Sequence, residues 1–188
     1  MKALIPVLIV LGIIAFIGMA VVGQYNNLVR QDVAIQGQWA EVNNQLLRRN
    51  DLIPNLVNTV KGIAGQEQKV FGDIADARAR MAGAASKPIG DQIDAAHQMD
   101  GAIGRLMVVV ENYPQLRSQE NFSQLQAQLE GTENRLAVTR TRYNELVTTY
   151  NTTVKSFPMM LFAGMFGFKD KPFYPVPDAA TKNPTVKF

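Results

Sequence analysis

Hydrophobic and polar positions follow three different rhythms along this chain. Residues 3–23, ALIPVLIVLGIIAFIGMAVVG, are apolar without interruption and carry no charge. About 21 residues at a rise of about 1.5 Å each cover roughly 30 Å, the thickness of a bilayer's hydrocarbon core. Only a helix satisfies its own backbone groups there. Pro6 stands near the start, where a missing N–H costs little. The run is long, and no small-residue cleavage pattern comes before Gln24, so it reads as a retained anchor rather than a cleaved signal.

The second rhythm begins at Tyr25. Apolar residues return every three or four positions: Leu28, Ile35, Trp39, Val42, Leu46, Ile53, Leu56, Val60, Ile63, Val70, Ile74, Ala77 and Met81. A period near 3.5 means long helices packed on long helices. Arg49 falls on this seam, followed by Asn50-Asp51-Leu52-Ile53-Pro54. Either Asp51 caps a new helix with Pro54 in its first turn, or the helix runs on and Pro54 kinks it. The segment 82–91, AGAASKPIGD, is the clearest loop. A helix follows to about Glu111 with Ile93, Ala96, Ile103, Leu106, Met107 and Val110 on one face. Tyr113-Pro114 marks a break, because the residue before proline avoids the α region. A last long helix covers about 118–156, striped by Phe122, Leu125, Leu129, Leu136, Tyr143, Leu146, Tyr150 and Val154, with Thr132 and Thr139 on seam positions. No useful stretch alternates with period two, so the expected fold is all-α without a sheet.

The third rhythm is no rhythm. After Phe157-Pro158 comes MMLFAGMFGF, residues 159–168, apolar all round and too short to span a bilayer. The tail from Lys169 holds four prolines and reads as extended or disordered. With a turn at Asp51 the chain makes four passes; with kinks at both prolines it makes one hairpin. An even number of passes returns Phe157 to the membrane side. Met159, Leu161, Phe162, Met165, Phe166 and Phe168 are therefore expected to touch the lipid interface or the anchor, the competing role being to cap the bundle core.

Composition narrows the function. The 188 residues suit one domain beyond the anchor. A net charge of +3 comes from 19 basic and 16 acidic residues, intermixed rather than clustered, so no nucleic-acid face is expected. There is no cysteine, hence no disulfide, thiolate metal site or thiol nucleophile. His97 is the only histidine, which rules out a Glu-x-x-His pair on each of two helices. No Gly-x-Ser-x-Gly elbow and no phosphate-cradling glycine loop are present. The reading is of no catalytic residue, no metal and no cofactor. Polar blocks remain: Arg48, Arg49, Asp51, Asn55 and Asn58 in one, and Glu111, Asn112, Glu133, Asn134 and Arg135 in others. Buried hydrogen bonds and ion pairs between such blocks would set helix register. Trp39 on the seam is a core residue or, in the sharper reading, a subunit-interface anchor.

Several blocks together resemble the LemA family of bacterial membrane-anchored proteins. They are Tyr25-Asn26-Asn27-Leu28-Val29, Trp39, QLLRRNDLIPNLVNTVKGIA at 45–64, ENYPQLRSQENFSQLQAQLEGTENRLAVTRTRYNELVTTYN at 111–151, and Phe157-Pro158. The resemblance covers about residues 23–168. It departs at Asn50 and Ile63, where family members often carry an aromatic residue. It implies a single-pass anchor (1–23), an antiparallel up-and-down four-helix bundle (24–168) with the turn at Asp51, and a proline-rich tail (169–188). Some members carry a lipoprotein cysteine near the position of Val22-Gly23-Gln24; this chain has none, so the span itself must anchor. The family has no established biochemical activity. The expected role is a membrane-tethered scaffold or adaptor in the bacterial inner membrane, its bundle outside the cytoplasm. It would act on membrane lipid, on further copies of itself and on other membrane proteins, not on nucleic acid. The rival role is membrane shaping or lipid sensing through 159–168.

Overall fold

A computed structural model describes residues 4–175, and these are all-α, with no strand among them. Five helices run in the order α1 (Leu4–Lys61), α2 (Gln68–Ala84), α3 (Ile89–Asn112), the single turn α4 (Pro114–Arg117) and α5 (Glu120–Lys155), and a 3₁₀ turn follows at Met159–Leu161. The expected boundaries hold at Tyr113-Pro114 and at Phe157-Pro158; the loop expected over 82–91 shortens to 85–88, its ends being taken up by α2 and α3. Residues 176–188 of the expected tail lie outside the described residues.

One boundary is different. The turn expected at Asp51 is absent: α1 passes through Pro54 without ending. The seam explains why. Leu28, Ile35, Trp39, Val42, Leu46, Arg49, Ile53, Leu56 and Val60 are all buried, a heptad apart at the start and then at alternating four- and three-residue steps that keep one phase across Pro54. A new helix at Asp51 would have to re-establish that phase by chance. One missing backbone bond is the smaller cost. The reversal comes at 62–67, GIAGQE, where Ala64 N–H and Gly62 N–H still bond back to Val60 and Asn58 carbonyls. Four long passes survive, as α1, α2, α3 and α5.

The chain forms two compact units. The first comprises residues up to Ala40 together with Thr141–Phe173. In it α1 and α5 are antiparallel: Trp39 meets Tyr143, with ring centroids 5.4 Å apart, and Gln31 meets Thr153. The apolar stretch of α1 has almost no cover. Leu8, Ile9, Leu11, Ile13, Phe16, Met19 and Val22 are all exposed. Among the described residues this is the one helix long and apolar enough to cross a membrane. A core helix of the same composition would be buried.

The second unit comprises Glu41–Arg140 with Tyr174. Its core joins Ile53, Leu56, Val60 and Ala64 of the α1 end to Ile74 and Ala77 of α2, Met99, Ala102, Leu106 and Val110 of α3, and Phe122 and Leu129 of α5. Small residues, Ala77, Ala84, Ala95 and Ala96, let α2 and α3 pack closely. Their antiparallel register shows in the pairs Arg80–Gln98 and Asp73–Arg105.

Candidate functional site

The buried polar cluster of the second unit grows from Arg49. The heptad places this residue on the core face of α1, where it is only 1% exposed. Its Nη1 donates to Asp100 Oδ1 of α3 and, at 2.9 Å, to Glu133 Oε1 of α5. Arg140 Nη2 lies 3.7 Å from the second Asp100 oxygen. The Arg140 guanidinium sits 4.3 Å above the ring of Tyr174, which is fully buried. His97 packs its ring on the same tyrosine. One carboxylate thus stands between two guanidinium groups.

Electrostatics follow from this enclosure. Burial works against the charge on Arg49, but the carboxylates of Asp100 and Glu133 outweigh it and hold the guanidinium more firmly protonated than usual. Burial pushes the Tyr174 phenol up to about 12, against the opposing pull of Arg140. The cluster links α1, α3 and α5 through Arg49, Asp100, Glu133 and Arg140. Among the described residues no three histidine or carboxylate groups converge to hold a metal ion.

Of the polar blocks, Arg49 and Glu133 are joined by an ion pair. Arg48, Asp51 and Asn55 lie on the exposed side of α1. Arg135 turns back to Thr132 of its own helix, and Thr132 bonds the Gln128 carbonyl. Glu111 and Asn134 line a groove of about 780 Å³ whose floor is Ile103, Met107, Val110 and Leu129. A smaller cleft of about 260 Å³ opens onto Arg49, Asp100, Glu133 and Arg140 themselves. Asp100 and Arg140 were not among the expected residues, yet Asp100 continues the spacing Ile93, Ala96, Asp100, Ile103, Met107. A charge on that seam was the available signal, the same one Arg49 gave.

The first unit carries its own polar clasp. Asn151 of α5 exchanges two hydrogen bonds with the backbone of Lys171, at 3.0 and 2.9 Å. Lys171 also pairs with Asp32. Tyr143 donates its hydroxyl to the Pro172 carbonyl at 2.8 Å, and burial raises its phenol to about 12. Residues 169–173 have no regular structure, as a proline-rich stretch should, but in this unit Lys171 and Pro172 are strapped down. Trp39 is buried against Tyr143. Of the apolar residues after Phe157, Met159 is buried. Phe162 and Phe168 are half-buried, and Leu161, Met165 and Phe166 are exposed. The rings of Phe166 and Phe168 lie 5.2 and 5.4 Å from that of Tyr25 on α1.

Comparison with known proteins is consistent across most of the chain. The model of the LemA family matches residues 38–188. Magnetosome protein MamQ 2 and magnetosome protein MamQ 1 of Paramagnetospirillum magneticum are each 27% identical over 192 residues, covering 89% of this chain and 70% of theirs. Magnetosome protein MamQ of Magnetospirillum gryphiswaldense is 26% identical over 184 residues, covering 85% of this chain and 67% of its own.

Proposed function

The chain belongs to the LemA family, and from that premise we propose that it is a membrane-anchored helical scaffold, working through protein–protein contacts and self-assembly without catalysis of its own. The observation that carries this reading is the bare apolar stretch of α1, which continues into the buried seam of the same helix. Such a surface stays dispersed in water only if lipid covers it. The polar cluster adds support from the other side. Its charges are spent on one another and on holding three helices in register. The groove over Ile103, Met107, Val110 and Leu129, rimmed by Glu111, Glu130 and Glu133, offers a face for a second copy or another membrane protein. Tethering raises the local concentration of copies and favours weak side-by-side contacts. The proposed place is the bacterial inner membrane, with the bundle outside the cytoplasm.

Membranes carrying the protein test this in two steps. After a carbonate wash the protein stays in the pellet, and a short amine cross-linker then gives a ladder of multimers. Release into the supernatant refutes the anchor; a monomer band alone refutes self-assembly.

A further inference from the structure

We propose that the lobe formed by residues 157–168 is a membrane seat, whose outer face rests in the lipid interface beside α1. The proposal rests on the anchor reading and adds a second lipid contact to it. The lobe is two-faced within a few residues. Met159 and Ala163 are buried, whereas Phe157, Met160, Leu161 and Met165 are 78%, 59%, 61% and 81% exposed. Its backbone is closed on itself, with Ala163 N–H bonding Met159 and Phe168 N–H bonding the Ala163 carbonyl. Gly167, at φ 80, supplies the left-handed residue that this last turn needs.

Position identifies the occupant. Phe166 and Phe168 pack on Tyr25. Phe157 and Met159 share a cleft with Gln24 and Asn27. Every one of those partners lies in the first turn and a half after the uncharged run ends at Gly23. The lobe is thus held where a bilayer spanned by that run has its edge. Residues 156–168 carry no charge, and Lys155, paired with Asp170, and Lys169 flank them. Apolar bodies bounded by long cationic side chains suit the boundary between headgroups and acyl chains. Phenylalanines packed around a tyrosine suit the same depth. The element is too short to cross, so it lies in the surface.

The chain has no cysteine, so single cysteines place a spin label uniquely. Full-length Met165→Cys, Leu161→Cys, Phe16→Cys and Val33→Cys are labelled in phosphatidylcholine–phosphatidylglycerol vesicles. Collisions with oxygen and with a water-soluble nickel chelate are then compared. All four positions are exposed, so the labels leave the core intact. Phe16→Cys should favour oxygen strongly and Val33→Cys should favour nickel. Met165→Cys and Leu161→Cys should favour oxygen at shallow depth. If both lobe labels behave like Val33→Cys while Phe16→Cys reads deep, the seat is wrong and the anchor stands. If Phe16→Cys also reads as aqueous, both fail. Shielding of the lobe labels from both reagents would mean that protein covers the lobe, and would overturn the lipid assignment.

Discussion

At the scale of single residues, Arg49 has given up its water for two carboxylates. Removing one partner of a buried ion pair leaves the other charge stranded, typically at a cost of about 3–5 kcal/mol, whereas exposed pairs are worth about 1 kcal/mol or less. Asp100 is the more enclosed partner, with a side chain 21% exposed against 41% for Glu133. Asp100→Ala should therefore lose roughly 3 kcal/mol. Glu133→Ala should lose clearly less in the same urea titration followed by circular dichroism. Equal losses would mean that the two carboxylates share the work. The buried phenols give a second outcome. Tyr143 and Tyr174 titrate near 12 when folded, against 10 when unfolded. Between those values the native state binds more protons, so the contribution of these two phenols is fully present below pH 10 and is lost as pH rises toward 12. Denaturation midpoints across that window, with tyrosinate absorbance as a reporter, should show the fall. Tyr143→Phe and Tyr174→Phe together should weaken it, leaving the share of Tyr150, whose phenol burial and the nearby Asp32 and Asp170 also raise. Arg49 was readable in the sequence because an apolar stripe makes a charge conspicuous; Asp100 interrupts the α3 stripe in the same way but was not picked out. Tyr174 was not, since nothing in a proline-rich stretch marks which residue will be buried.

At the scale of elements, most helices declared themselves through period and punctuation. The 82–91 loop has two glycines and a proline, and Tyr113-Pro114 has its own steric rule. The misplaced reversal is instructive. Asp51 and Pro54 have the chemistry of a helix start, but cap signals act through one or two hydrogen bonds, while the seam through Ile53, Leu56 and Val60 acts through a packed core. Burial of the seam outweighs the cap. Pro54 is therefore tolerated inside α1 rather than used as a start. Pro54→Ala should raise the unfolding free energy, by at most about 3 kcal/mol, the usual penalty of proline inside a helix relative to alanine. Helix content should not fall. A loss of stability would point to a turn at Asp51 after all, where proline is favourable.

At the scale of the whole molecule, the division between exposed and buried apolar surface carries the functional reading. Both stretches of α1 are apolar, but the first is open and the second is packed. Arginine near the middle of a membrane helix costs about 2.5–3.5 kcal/mol per residue on insertion scales. Ile13→Arg combined with Ile17→Arg should shift the protein from the carbonate-resistant pellet to the soluble fraction. Persistence in the pellet would mean that another surface holds it there. The fold class and the family were legible from patterning and from the spaced blocks. The side-chain partners were less so, because Arg49 and Asp100 meet across 51 positions and their pairing depends on where α1 ends.

That α1 runs unbroken from Val22 through Leu28 means the stem has no swivel where it enters the first unit. A glycine–serine tether would let a head group wobble independently of its stem. Here Gly23 sits inside the helix, so any roll or lean of the stem is inherited by the α1–α5 hairpin. Copies embedded in one lipid sheet would then share an attitude, and two neighbours would need only to yaw, not tumble, before their sides match.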